Sequence, residues 1–160
     1  MRIIVSDTSP IRALNHLGLL DLLPKLFKEI LIPPGVLQEL QSQPRRFSPV
    51  MLSGLGWLRV QAPANQTKVQ DLLKELDLGE AEAIALAIEL HAEILMDEAE
   101  GREIAARLGL SLVGLLGLLL RFKSNRFIPA VMPLIDQLQS GLRFFISDQV
   151  RAEIKRLSGE

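Results

Sequence analysis

Short apolar runs alternate with segments of helical periodicity along most of the chain. The apolar runs, several of them rich in β-branched residues, predict five β-strands at 2–6, 29–32, 57–60, 93–96 and 111–113. Ser9 as N-cap and Pro10 in the first position predict a helix that ends at Gly18. Further helices are predicted at 19–27, 35–41, 67–76, 80–91, 98–108, 115–123, 129–139 and 147–157. The segment 80–91 is almost wholly apolar after its first turn, which indicates a buried helix.

This alternation of strands and helices predicts an α/β fold. We expect a three-layer α/β/α sandwich with a mainly parallel sheet. The length fits a single domain over 1–160, with the C-terminal helix at about 147–157 packed on it. Segment 42–56 contains two prolines and two glycines and is predicted to be a long loop. In such folds, ligands bind at the edge formed by the carboxyl ends of the strands.

Six acidic residues from four separate segments are predicted to lie at that edge. Asp7 ends the first strand, and Asp97 and Glu98 follow the fourth. The other three are Glu80 and Glu82, in the first turn of a crossover helix, and Glu39, about one turn into the helix after the second strand. Taken singly, most have simpler interpretations, such as helix capping, favourable interaction with a helix dipole, or a solvated helix surface. Asp7, directly after Ile-Ile-Val, is hard to explain as a surface residue.

Composition narrows the chemistry of this edge. The chain has no Cys, which excludes disulfides and thiolate zinc sites, and its net charge is −1. Clustered carboxylates repel unless they protonate or bind a cation, and an all-oxygen set suits Mg²⁺ or Mn²⁺. One or two such ions would activate water at a phosphodiester and let an acidic site bind a polyanion. Aromatic residues make up only 4%, which argues against a stacking platform for single-stranded nucleic acid.

Four segments together resemble the motifs of PIN-domain nucleases. The opening Val-Ser-Asp-Thr-Ser-Pro at 5–10 is similar to the first motif, and Ile-Pro-Pro-Gly-Val-Leu-Gln-Glu-Leu at 32–40 to the second. Leu-Gly-Glu-Ala-Glu-Ala at 78–83 resembles the third. The fourth is matched by Ile-Leu-Met-Asp-Glu at 94–98, followed by Gly-Arg and Leu-Gly-Leu. The resemblance covers nearly the whole chain, and its strength lies in the order of the motifs.

The resemblance implies a PIN fold with metal-dependent ribonuclease activity, an RNA substrate and a homodimer. Many members are toxins blocked by a small antitoxin protein, so an antitoxin partner is implied as well. By position, the implied metal ligands are Asp7, Glu39, Glu80 and the Asp97–Glu98 pair, with Thr8 and Ser9 in support and the Ser9 hydroxyl assisting Asp7. Two positions depart from the family pattern. Glu80 stands where Asp is common, which leaves Glu82 as an alternative ligand, and Met96 replaces a usual Thr, which leaves Asp97 and Glu98 as alternatives.

Three arginines are candidate substrate contacts: Arg45 and Arg46 in the long loop, and Arg102 near Asp97. Two other functions compete with the nuclease hypothesis. One is an inactive PIN-fold module that binds nucleic acid or protein. The other is an aspartyl phosphatase with Asp7 as nucleophile, which is disfavoured because Ser9 stands where Asp or Thr is needed. The longest uncharged run, 108–120, is too short to span a membrane, and we expect a cytoplasmic protein.

Overall fold

A five-stranded, all-parallel sheet organises the molecule. The computed structural model describes residues 2–42 and 50–160. Its strands are β1 (Arg2–Ser6), β2 (Phe27–Ile32), β3 (Leu58–Val60), β4 (Glu93–Leu95) and β5 (Leu112–Val113), in the order β3-β2-β1-β4-β5. The predicted α/β class and parallel sheet are therefore confirmed.

The strands are linked by helices that cover both faces of the sheet. They are α1 (Thr8–His16), α2 (Leu23–Leu26), α3 (Pro34–Gln41), α4 (Gln66–Leu72), α5 (Leu78–Leu90), α6 (Ala99–Arg107), α7 (Leu115–Ser124), α8 (Met132–Gly141) and α9 (Asp148–Ser158). A short 3-10 turn, Leu20–Leu22, precedes α2. Apolar side chains of α4, α5 and α6 form one core cluster, and those of α1, α2, α3, α7, α8 and α9 form the other.

Side chains along each strand point alternately to the two faces of the sheet, and this separates the two core clusters. In β1, Ile4 faces the first cluster and Val5 the second, and both are fully buried. At β4, Leu95 belongs to the cluster of Ile4, while Ile94 belongs to that of Val5. Successive side chains of a strand point to opposite faces, so continuous apolar runs are what a sheet covered on both sides requires. The predicted three-layer sandwich is confirmed.

Helix α5 lies inside the molecule, as its composition predicts. All its residues from 79 to 87 are buried. The helix returns the chain to β4, so its N-terminus lies at the carboxyl edge of the sheet. The Asp77 carboxylate caps this end by accepting a hydrogen bond from the Glu80 amide at 2.9 Å. The first turn of α5 is thereby held next to the ends of β1 and β4.

Several predicted boundaries were wrong. Helix α1 begins at Thr8, so Asp7, in extended conformation, takes the N-cap position predicted for Ser9. Pro10 then lies third in the helix, where its missing N–H is still one of the four that lack an intrahelical acceptor. The helix predicted at 19–27 ends earlier because Phe27 already belongs to β2, and α8 begins at Met132 rather than at 129. Gly18, with φ of 71°, follows α1 as predicted.

The order of the strands places a crevice between β1 and β4. From β1 the chain moves outward to β2 and β3, then crosses back to β4 and β5, so the direction of winding reverses between these two strands. The amide of Asp7 donates to the Leu95 carbonyl at 3.0 Å, which joins the two strand ends. Within the described residues, no helix combines the length and apolar character needed to span a membrane.

Candidate active site

Asp7 is a buried carboxylate at the junction of β1 and α1. Asp7 is only 3% exposed, which is rare for an acid, and it has no salt-bridge partner among the described residues. Its pKa is raised to about 7, mainly by burial; the negative charges of Glu39, Asp77 and Glu98 add to the rise, and a hydrogen bond from the Thr8 amide opposes it. Near neutral pH both the protonated and the ionised form of Asp7 are therefore populated in the metal-free protein.

Glu39 approaches Asp7 from α3. Burial raises its pKa, and the Thr8 hydroxyl and the Arg12 guanidinium oppose that rise. The Thr8 hydroxyl faces Glu39 without forming a well-aligned hydrogen bond. Arg12 donates to the Glu39 carbonyl and to the Ser42 carbonyl, which ties the end of α3 to α1.

Glycine at position 79 makes room for Glu39. A Cβ on Gly79 would lie 2.6 Å from Glu39 Oε1, far inside van der Waals contact. Any side chain at this position would displace the carboxylate. The Gly-Glu pair in the third motif therefore has a steric reason: Gly79 admits the acid from α3, and Glu80 adds the acid from α5.

Glu80 and Glu98 complete the group around Asp7. Burial raises the pKa of Glu80 to about 8, and contact with Asp77 together with the charges of Asp7 and Glu98 contributes to the rise. A Cβ on Gly101 of α6 would lie 2.9 Å from Glu80 Oε2, so the carboxylate reaches across to the helix after β4. Glu98 is exposed and is the N-cap residue of α6. The charge of Glu98 contributes to the raised pKa of Asp7, Glu39 and Glu80, which places it near all three acids.

Asp97 points away from this group. Its Oδ1 accepts a hydrogen bond from the Leu115 amide at 3.0 Å and so binds the N-terminus of α7. Burial raises its pKa, while the Leu115 hydrogen bond and the Arg102 charge lower it. Its second oxygen, Oδ2, is buried and has no hydrogen-bond partner among the residues that the structure describes. Of the two alternatives after β4, the structure brings Glu98, not Asp97, to Asp7.

Glu82 also points away, towards the start of α3. Its Oε1 accepts a hydrogen bond from the Gly35 amide at 2.7 Å. A Cβ on Gly35 would lie 2.5 Å from this oxygen, so the close approach depends on glycine. A carboxylate at this end of α3 satisfies an amide that has no acceptor within the helix. Of the two alternatives in α5, the structure brings Glu80 to Asp7.

The supporting residues make contacts that differ from those expected. The Ser9 hydroxyl donates to Oε1 of Glu98 at 3.4 Å, an acid whose charge acts on Asp7. Ser9 follows Asp7 by two residues on α1, and the earlier start of this helix turns it towards the end of β4. Arg102 donates to the Met96 carbonyl at 3.0 Å and borders Asp97. Arg45 and Arg46 lie outside the described residues.

Two residues of the site were missed from the sequence. Asp77 is close enough to raise the pKa of Asp7, Glu39 and Glu80. Its signal was an acid three residues before Glu80 at a helix start, a capping pattern. Arg12 lies one helical turn after Thr8, on the same face of α1, and that spacing places both next to Glu39.

The two glutamates of α5 should respond differently to substitution. Glu80→Gln removes a charge from the group around Asp7 and should reduce phosphodiester cleavage strongly. Glu82→Gln keeps an oxygen that can accept from the Gly35 amide, so we expect activity and stability near those of the unmodified protein. Glu82→Ala leaves that amide unpaired and should lower the free energy of unfolding by about 1–3 kcal/mol. Initial cleavage rates measure the effect on activity, and urea unfolding measures the effect on stability. If Glu82→Gln lost more activity than Glu80→Gln, Glu82 would be the metal ligand instead of Glu80.

The donor set of this site suits a hard divalent cation. Among residues 2–42 and 50–160, no three His, Asp or Glu side chains are already arranged to hold a metal ion. All the available donors are carboxylate oxygens, as Mg²⁺ and Mn²⁺ prefer. Burial, with smaller contributions from neighbouring acids, raises the pKa of Asp7 and Glu80, so their ionised forms need a compensating positive charge. A cation among Asp7, Glu39, Glu80 and Glu98 would supply that compensation.

Comparison with known proteins agrees with this arrangement of fold and acids. Among curated proteins, no significant match to the chain was found. A protein-family profile described as PIN domain (DUF3368) matches residues 3–160. That span includes every strand, the crevice between β1 and β4 and all the acids at its edge, so the chain belongs to the PIN-domain family.

Proposed function

We propose that this protein is a metal-dependent endoribonuclease that acts as the toxin of a toxin–antitoxin pair. PIN domains are typically nucleases that bind divalent metals. One observation carries the proposal for this chain. Carboxylates from four separate segments face one another at the β1–β4 crevice, and two of them, Asp7 and Glu80, have pKa values of about 7 and 8. Burial is the main cause of both shifts and the neighbouring acids add to them, so ionising these groups is costly unless the site binds a cation.

In this proposal Asp7, Glu39, Glu80 and Glu98 hold Mg²⁺ or Mn²⁺. The ion supplies water activation and stabilises the charge that develops on the phosphodiester oxygens. Arg12 holds the end of α3, which carries Glu39, against α1, and the Ser9 hydroxyl orients Glu98. Asp97 and Arg102 brace the turn after β4 against α7, which keeps Glu98 directed into the crevice.

The proposed partners follow from the resemblance of the sequence to PIN-domain toxins. RNA is the proposed substrate, and a homodimer and a small antitoxin protein are the proposed partners. A short neighbouring reading frame that encodes a DNA-binding N-terminal segment would support the toxin role.

The nuclease proposal is tested with purified protein and single-stranded RNA. We expect cleavage with Mg²⁺ or Mn²⁺, loss of cleavage with EDTA, and no rescue by Ca²⁺. Calcium prefers more ligands at longer distances, so it can occupy a carboxylate site without supporting in-line attack. A suitable control is Glu153→Gln, which removes an exposed acid of α9, outside the crevice, and should cleave normally.

Two results together would overturn the proposal. They are absence of cleavage with either metal, and calorimetric Mn²⁺ binding that is unchanged by Asp7→Asn. The PIN-fold binding module would then be the better hypothesis.

A further inference from the structure

A groove of about 580 Å³ lies beside the edge strand β5. It runs between the end of β4, α6 and α7 on one side and the segment before α9 on the other. The side chains that matter for its chemistry are Asp97, Arg102, Arg121, Phe144, Phe145 and Val150. Asp97 lines this groove, whereas the next residue, Glu98, belongs to the acidic crevice, so the groove and the candidate active site lie on the two sides of the turn after β4.

The groove combines an exposed aromatic ring with two arginines. Phe145 is 88% exposed, a high value for a large apolar side chain, and Val150 beside it is 42% exposed. Arg121 donates two hydrogen bonds to the buried Glu93 carboxylate, from Nη1 to Oε1 at 3.4 Å and from Nη2 to Oε2 at 3.2 Å. The Arg121 side chain is itself 40% exposed. An arginine has five N–H donors, and those not used by Glu93 remain for a ligand. Arg102 is likewise fixed, by its bond to the Met96 carbonyl.

We propose that this groove holds one unpaired nucleotide of the RNA, with its base stacked on Phe145 and its phosphate facing Arg121 and Arg102. The proposal rests on the ribonuclease function above and extends it to a substrate-binding subsite. Aromatic rings bind bases of any sequence by stacking, and arginines hold phosphates through paired donors. The combination selects a single-stranded segment next to the cleaved bond.

The position of the arginines favours RNA over a protein partner. Both guanidinium groups are held by the protein itself. Arg102 lies at the end of β4, nearer the acids, and Arg121 lies farther along the groove, beside Glu93 at the start of β4. In the proposal, a strand whose phosphate is cleaved in the crevice places a neighbouring nucleotide in this groove, past the turn after β4. A single exposed ring accommodates one base, which agrees with the low aromatic content of the chain.

The test measures RNA affinity separately from cleavage. In an Asp7→Asn background, which keeps the RNA intact, fluorescence anisotropy gives the dissociation constant of a short single-stranded oligoribonucleotide. Phe145→Ala should weaken binding about 5- to 150-fold, which corresponds to the usual loss of one stacked base. Phe145→Leu keeps apolar bulk without a flat ring and should weaken binding almost as much. Phe145→Trp should retain binding, and its added fluorescence should be quenched by RNA.

The control is Leu157→Ala on α9. Leu157 is also exposed, at 53%, but does not line the groove, so affinity should be unchanged. Full affinity in Phe145→Ala, or full rescue by Phe145→Leu, would overturn the subsite. A fall in oligomeric mass on Phe145→Ala with unchanged RNA affinity would also overturn it and mark the groove as a protein interface. If the unmodified protein cleaves RNA while Phe145→Ala binds normally, only the subsite fails; if it does not cleave while Phe145→Ala weakens binding, only the nuclease function fails.

Discussion

Replacing Asp7 by Asn should abolish most RNA cleavage while leaving the metal-free protein at least as stable as the unmodified one. The two side chains are nearly isosteric, and the amide oxygen can still accept the Thr8 hydrogen bond. The substitution removes an acid that is only 3% exposed and whose ionised form is repelled by Glu39, Asp77 and Glu98, so the folded state loses an unfavourable interaction. In the proposed site the same carboxylate is a ligand of the cation. Loss of activity on the order of 100-fold or more is expected, since even residues that only orient metal ligands contribute 10–100-fold.

The measurement pairs kcat/KM on a defined RNA with thermal unfolding in EDTA. Asp21→Asn is the matched control, because Asp21 is an exposed residue of the 3-10 turn, outside the crevice. It should change neither quantity. An Asp7→Asn protein that cleaves at the normal rate, or that unfolds several degrees earlier in EDTA, would contradict the assignment of Asp7.

The sequence predicted which segments meet at the site, because that depends on strand direction alone. Parallel strands joined by helices bring their carboxyl ends to one edge, whatever the order of the strands. Asp7, Glu39, Glu80 and Glu98 could therefore be placed together without coordinates. The same argument located the buried helix α5 from its composition.

Which acid of a neighbouring pair faces the site could not be predicted, since it depends on packing between distant segments. Glu80 and Glu82 are two positions apart on a helix and so point to nearly opposite sides. Their directions are fixed only by the position of α3, whose Gly35 amide donates a hydrogen bond to the Glu82 carboxylate. Asp97 and Glu98 are adjacent residues, and an amide at the N-terminus of α7 donates a hydrogen bond to the Asp97 carboxylate. Both helix ends are satisfied by acids remote in sequence, which local patterns do not show.

Asp77 was missed for a related reason. Its local role as the N-cap of α5 is readable from its spacing to Glu80. Its electrostatic role depends on where α5 begins in space, next to the end of β1. A residue can therefore have a simple local explanation and still contribute to the charge of a site.

The stability of the metal-free protein should fall as pH rises from about 4 to 8. Asp7 and Glu80 ionise at 3.8 and 4.5 in the absence of their surroundings, whereas in the folded protein their pKa values are about 7 and 8. Between these limits the folded chain holds protons that the unfolded chain has released. The stability gained by retaining them is fully present below about pH 4 and is lost as pH rises through the folded pKa values. Glu160 acts in the opposite direction, but its pKa of about 2 confines that effect to more acidic solutions.

Adding Mn²⁺ should reverse this loss at pH 8 and have much less effect at pH 5, where protons compete for the same oxygens. At a hundredfold excess over its dissociation constant, an ion that binds only the folded state contributes about 2.7 kcal/mol. For a chain of this size that is a rise in Tm of roughly 5–10 °C. Thermal unfolding gives the Tm under each of the four conditions: pH 5 and pH 8, each with EDTA or with Mn²⁺. Asp7→Asn should reduce both the pH dependence and the Mn²⁺ effect, while Glu153→Gln should leave both intact. Equal Mn²⁺ effects at pH 5 and pH 8 would show that the cation binds elsewhere. Binding at the buried carboxylates requires them to be ionised, so it must be weaker at pH 5 than at pH 8.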